Sequence, residues 1–194
     1  MNYFIEIELL SDGDIPVNFL WEKIYPQIHL ALVEIRKDGK SNVGVSFPKY
    51  DAEKFQLGNV IRFFAKTRVE LENLRLKNSC SRLLDYLRIS TIEEVPLDVL
   101  GYCYFSRHRV KTKSSLTRLI RRKAKRENMS YEDALSFYSG KEKGTSRLPF
   151  VRIRSQSTNS SPYPLLIEKV EASGLHDGAF STYGLSSSSS VPLF

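Results

Sequence analysis

The 194-residue chain carries three histidines, and only His29 sits on a strongly patterned element. It follows Ile28 and precedes Ala31 at the edge of an apolar stripe of helical spacing, a position that suits a partly buried structural imidazole as well as a reactive one. His176, in Leu175-His-Asp-Gly, reads as part of a loop, and His108, between Arg107 and Arg109, as an addition to a cationic surface. The carboxylates are scattered along helix faces with no DxD or ExK-type grouping, which argues against a catalytic metal. A Walker loop and a GxGxxG are both absent, which disfavours nucleotide hydrolysis and dinucleotide binding. Cys80 and Cys103 have neither metal-ligand nor disulfide-framework spacing and are expected as free thiols. The chemistry that fits what remains is metal-free acid/base catalysis on RNA. There the substrate's 2′-OH is the nucleophile, and the protein supplies a base, an orienting group and stabilisation of charge. A histidine with a serine and a tyrosine suffices.

A second feature points to the same class of substrate. Of the twenty residues from Arg107 to Arg126, ten are Lys or Arg and none is acidic. The whole chain has 29 basic and 22 acidic residues, so removing these ten leaves a net charge of −3 elsewhere. Charge this concentrated favours phosphates. Arg118, Arg121, Arg122, Lys125 and Arg126 recur at spacings of three and four, which predicts one cationic helix face. Leu116, Leu119, Ile120 and Ala124 share the other, interrupted by Lys123, whose stem can lie along apolar surface.

The surrounding pattern predicts two small domains, 1–97 and 98–194. Tyr3 to Leu10 alternates as a half-buried strand, and Val17 to Arg36 has helical spacing with a kink or second start at Pro26. Strands follow at Asn42–Phe47 and Asn59–Ala65, then a helix over Thr67–Lys77, a short helical piece near Ser81–Tyr86 and a strand around Arg88–Val95. This order is the ferredoxin-like (RRM-like) βαββαβ arrangement. Beyond it come the arginine-rich helix, about 115–127, a helix opened by Ser130 with Asp133 as capping pair, and a small β-sheet. In that sheet Pro149–Thr158 alternates Val151 and Ile153 against Arg152 and Arg154, Tyr163–Val170 returns as its hairpin partner, and Gly178–Leu185 is a further strand. Ser186–Ser190 reads as low-complexity linker before an apolar terminus that docks. The fold class is α+β. No apolar run is long enough for a membrane span, and no signal peptide is evident, so a soluble cytoplasmic protein is expected.

Several motifs together resemble the CRISPR repeat-processing endoribonucleases of subtype I-F. They are His29 in Ile-His-Leu-Ala-Leu, Val43-Gly-Val-Ser-Phe-Pro48, the arginine-rich helix, Ile153-Arg-Ser-Gln-Ser-Thr158, Thr182-Tyr-Gly-Leu185 and the ending Val191-Pro-Leu-Phe194. The resemblance implies a sequence- and structure-specific, metal-independent enzyme that needs no cofactor. It cuts precursor CRISPR RNA at the base of the repeat hairpin by 2′-OH attack, giving 5′-hydroxyl and 2′,3′-cyclic phosphate ends. Its partners are the repeat hairpin, to which it stays bound, and the other subunits of a type I-F surveillance complex; by itself it is expected to be a monomer. Residue by residue, the resemblance makes His29 the catalytic histidine, Ser155 the serine that holds the 2′-OH, Ser157 its neighbour and Tyr183 the tyrosine that orients the histidine. Arg122 and Arg126 match arginines that grip the hairpin phosphates, with Arg118, Arg121, Lys125 and Arg154 beside them in the RNA-binding set. Arg109 matches a guanine-reading arginine, and Tyr163 an aromatic that stacks on the hairpin at the loop side.

The chain departs from the family pattern at Lys111, where a glutamine reads an adenine; an ammonium has no acceptor and cannot copy that pairing. Glu127 stands where a histidine is expected, and Ser186–Ser190 replaces a glycine-containing turn. Two other readings use the same residues: a non-catalytic RNA-hairpin-binding subunit of a ribonucleoprotein, and a DNA-binding regulator with the basic helix in a groove.

Overall fold

The computed structural model describes residues 1–109, 113–138, 147–154 and 162–194, with the backbone alone for 113–115. It is mixed α+β, with two antiparallel sheets. Strand β1 (Tyr3–Leu9) buries Phe4, Ile5, Ile7 and Leu9. It pairs antiparallel with β3 (Val60–Ala65), and on its other side with β4 (Leu87–Ile89) and the two-residue β5 (Glu93–Glu94). The short β2 (Gly44–Ser46) edges β3, so the order is β2-β3-β1-β4. All six residues of β3 are buried, because the sheet is covered on both faces. Phe4 and Phe64 meet the ring of Phe194, while Ile61 and Phe63 point to the opposite side.

Between β1 and β2 runs helix α1 (Val17–Glu34), which buries Leu20, Trp21, Ile24, Tyr25, Ile28, Ala31 and Leu32 along one stripe. It passes through Pro26 as a single element without a second start. The helix expected over Thr67–Lys77 is instead two short ones, α2 (Arg68–Glu72) and α3 (Leu76–Ser79), followed by a 3-10 turn at Ser81–Tyr86. Thr67 and Glu70 close a capping box on α2, and the chain breaks at Arg75, whose φ of 46° is left-handed.

The second sheet contains β6 (Gly101–His108), β7 (Phe150–Ile153), β8 (Tyr163–Ala172) and β9 (Val191–Leu193), in the order β7-β8-β6-β9. The expected hairpin is formed by β7 and β8, with Ile153 opposite Tyr163. Two expectations for the tail fail. Gly178–Leu185 is not a strand; its backbone makes one bridge, Phe180 to Ser41, and then turns. The place on the sheet goes to β9, from the terminal residues expected only to dock. Nor is Ser186–Ser190 an open linker: Ser189 and Ser190 are buried, and their hydroxyls donate to the carbonyls of Ala179 and Gly174. A serine satisfied by backbone costs little to bury.

By proximity the chain divides into two compact units, residues 1–108 with 148–194, and residues 109–147. The boundary expected at 97–98 falls between β5 and β6, where one sheet gives way to the other. Both sheets nonetheless belong to one unit because they share a core, in which Phe47 and Phe105 meet edge to face at 5.3 Å. The second unit contains α4 (Lys113–Glu127) and α5 (Tyr131–Ser136), capped by Ser130, whose Oγ accepts from the Asp133 N–H at 3.0 Å. Leu116, Ile120 and Ala134 form its small core. Cys80 and Cys103 are both free and buried. Among the described residues no helix is long and apolar enough to cross a membrane.

Candidate active site

The site is assembled from α1 and from the turn at Ser181–Gly184. Phe180 exchanges two backbone hydrogen bonds with Ser41, the Gly184 N–H donates to the Ser181 carbonyl at 2.8 Å, and the Val45 N–H donates to the Gly184 carbonyl at 3.0 Å. Gly184 has φ of 71°, and a Cβ there would run into the Val45 side chain, so only glycine allows this approach to β2. Tyr25, one helical turn before His29 and fully buried, donates its hydroxyl proton to the Tyr183 carbonyl at 3.2 Å. The turn is thus pinned to the helix that carries the histidine.

His29 Nδ1 lies 2.7 Å from the Thr182 carbonyl oxygen. A carbonyl can only accept, so Nδ1 carries a proton, and the nitrogen left to hold a lone pair is Nε2. The Tyr183 ring lies flat against the imidazole, with centroids 4.1 Å apart and planes 7° from parallel. His29 is only half-buried, which leaves the ring reachable by a ligand. A histidine fixed in one tautomer, on one face and by one edge, is set up to take a proton at Nε2.

Tyr183 is held as the neutral phenol. Burial, and after it the hydrogen bond to Tyr163, push its hydroxyl up to about 12. The two hydroxyls are 3.4 Å apart. The Arg107 guanidinium closes the cluster, with its carbon 5.6 Å from the Tyr163 ring centroid and 6.0 Å from that of Tyr183. Among the described residues no three His, Cys, Asp or Glu side chains converge to hold a metal ion.

The structure therefore brings together His29, Tyr183 and Tyr163. Ser155, Ser157 and Lys111 lie outside the described residues. Arg154 is exposed just past the end of β7, the hairpin strand that leads to Ser155, and Arg109 is exposed beyond β6. Three contributors were not picked out from sequence: the Thr182 carbonyl, the Tyr25 hydroxyl and Arg107. For Arg107 a signal was present. It continues the inward alternation of Cys103 and Phe105 along β6, so its charge falls on the buried phase of the strand.

In the second unit α4 has the expected two faces. Arg118, Arg121, Arg122, Lys125 and Arg126 are all exposed, while Leu116 and Ile120 are buried and Ala124 packs beside them. Lys123 lies over the Phe137 ring at 4.1 Å and reaches Glu127 at 2.5 Å. Glu127 also accepts from Arg126 at 2.8 Å. These two cations hold the Glu127 carboxyl below the usual range, and Arg126 begins partly neutralised.

Residues 4–194 match the family model described as "CRISPR-associated protein (Cas_Csy4)". Over the full length of both chains, the sequence is 32% identical to the CRISPR-associated endonuclease Cas6/Csy4 of Pseudomonas aeruginosa strain UCBPP-PA14. It is 28% identical, again over the full length of both, to the protein of the same name from Escherichia coli strain UTI89 / UPEC.

Proposed function

Since the chain belongs to the Cas_Csy4 family of CRISPR-associated proteins, we propose that it is a metal-independent endoribonuclease that cuts precursor CRISPR RNA at the base of the repeat hairpin. The observation that carries this reading is the His29 imidazole, stacked on Tyr183 and bound through Nδ1–H to Thr182, with Nε2 left to accept a proton. His29 takes the proton of the 2′-OH, the 2′-oxygen attacks the adjacent phosphorus, and the 5′-oxygen leaves. The products are a 2′,3′-cyclic phosphate and a 5′-hydroxyl. Ser155 holds the 2′-OH, with Ser157 next to it.

The exposed cations Arg118, Arg121, Arg122, Lys125 and Arg126 track the hairpin phosphates, aided by Arg154, while Arg109 and Lys111 read bases. Tyr163 stacks at the cleavage end of the hairpin rather than the loop end, since its hydroxyl lies 3.4 Å from that of Tyr183. The strand order β2-β3-β1-β4, antiparallel throughout, supports a ferredoxin-like reading of the N-terminal half. The protein then keeps its product and takes its place among the subunits of a surveillance complex.

A repeat hairpin with a single 2′-deoxy sugar 5′ of the cut tests the reaction class. Tight binding without cleavage, in a buffer where the all-ribose hairpin is cut in the presence of EDTA, is expected. Cleavage of the deoxy hairpin, or loss of all-ribose cleavage on adding EDTA, would overturn the reading.

A further inference from the structure

An RNA transesterification of this kind needs three things: a base, an oriented nucleophile and a group that takes up the charge growing on the phosphate. His29 and the serines account for the first two. We propose that Arg107 supplies the third, binding a non-bridging oxygen of the scissile phosphate and holding it most tightly in the transition state. This inference rests on the reading of His29 as the base.

Four observations converge on Arg107. It is placed on the inward phase of β6, in line with buried Cys103 and Phe105, yet it is itself exposed at the strand's end, where a ligand can meet it. Its guanidinium carbon lies 6.0 Å from the Tyr183 ring, which also stacks on the His29 imidazole at 4.1 Å, so the cation and the base are within about 10 Å of each other. A phosphate with a charge-assisted hydrogen bond of about 2.8 Å on either side spans a gap of that order. Among the described residues Arg107 forms no ion pair, unlike its neighbour His108, which faces Glu168 at 3.5 Å. Finally, Tyr163 at 5.6 Å and Tyr183 restrict the fork, so little freedom is lost when it binds an anion. A guanidinium keeps its charge and presents N–H donors in a fixed plane, which suits it to hold one non-bridging oxygen on phosphorus.

In the step itself, a bond forms from the 2′-oxygen to phosphorus and the bond from phosphorus to the 5′-oxygen breaks. The 2′ proton passes to His29 Nε2, and the 5′-oxygen takes one proton, from that imidazolium or from water. The non-bridging oxygens gain negative charge between the two events and return to a monoanion in the cyclic product. A cation fixed beside them lowers that barrier without taking part in proton transfer.

The test compares Arg107→Ala and Arg107→Lys with the parent under single-turnover conditions, on the all-ribose repeat hairpin and on its two scissile-phosphate phosphorothioate diastereomers. Affinity is measured with the single-deoxy hairpin, and folding by thermal melting. Arg107→Ala is expected to cut about 100-fold or more slowly while binding the deoxy hairpin within about threefold of the parent. Arg107→Lys, which keeps the charge, recovers part of the rate. One phosphorothioate diastereomer slows the parent, and that selectivity disappears in Arg107→Ala. An unchanged rate, a rate loss matched by an equal loss of affinity, or selectivity that persists without Arg107 would overturn the proposal. If His29→Ala cut at the parental rate, the base assignment would fall. A dead His29→Ala beside a fully active Arg107→Ala would remove the present inference alone.

Discussion

The imidazole of His29 and the phenol ring of Tyr183 lie parallel, 4.1 Å apart, and the backbone just before that tyrosine, at Thr182, holds the histidine's Nδ1. One turn of chain thus fixes both the face and the edge of the ring. The hydroxyl of Tyr183 points elsewhere, to Tyr163. We therefore expect the ring of Tyr183, rather than its hydroxyl, to orient the histidine.

That division separates two substitutions. Tyr183→Phe keeps the stacking surface and is expected to cut within about fivefold of the parent. Tyr183→Ala frees the imidazole and is expected to lose about 100-fold, the scale on which a misplacement of roughly 1 Å is felt. Single-turnover rates on the repeat hairpin decide. A Phe variant as slow as the Ala variant would assign the work to the hydroxyl.

The face of α4 makes a different kind of claim, read from salt. Removing one phosphate-binding cation should flatten the plot of log affinity against log salt by about 0.7 to 0.9. Arg122→Ala is expected to show that change in full. Arg126 is already paired with Glu127 at 2.8 Å, so Arg126→Ala should show less, and Glu127→Gln should tighten hairpin binding. Equal slopes for the parent and Arg122→Ala would mean that this face stays in solvent.

Burial of two tyrosines gives the fold an alkaline limit. A tyrosine in the unfolded chain ionises near its ordinary value of 10.0, while Tyr183 is pushed up to about 12 and buried Tyr25 higher still. Above pH 10 the unfolded state therefore sheds protons that the native state keeps. Stability present below pH 10 is lost as pH rises through 10 towards 12. Melting temperatures from about pH 9 to about pH 11 should fall in the parent and fall less steeply in Tyr183→Phe. Equal slopes would show that Tyr183 does not carry the effect.

Much of the scaffold was legible because periodicity survives where packing is regular. The alternation in β1, the apolar stripe of α1 and the two faces of α4 each match a burial pattern. The misses occur where local rules gave way to tertiary ones. Tyr183 and Leu185 are spaced like one face of a strand, but Leu185 is buried, and Tyr183 half-buried, by a turn folded around Gly184. The serine run looked solvated on composition, yet two of its hydroxyls are spent on backbone carbonyls. The break at Arg75 has no glycine or asparagine to announce it.

The site was legible to a smaller degree. His29 and Tyr183 are 154 positions apart, and nothing in either one's neighbourhood points to the other. Only the family resemblance links them. Arg107 is hidden for the opposite reason: it merges with the basic run that follows it, and only its phase along β6 sets it apart.

In the proposed mechanism His29 is the group without which RNA is bound but not cut. Its most direct test is single-turnover cleavage of the repeat hairpin by His29→Ala beside the parent, with affinity for the single-deoxy hairpin measured on both. The expected result is loss of cleavage by at least about a thousandfold with affinity nearly unchanged, general-base catalysis commonly contributing about 100- to 10,000-fold. A His29→Ala protein that cuts at the parental rate would remove His29 from the mechanism.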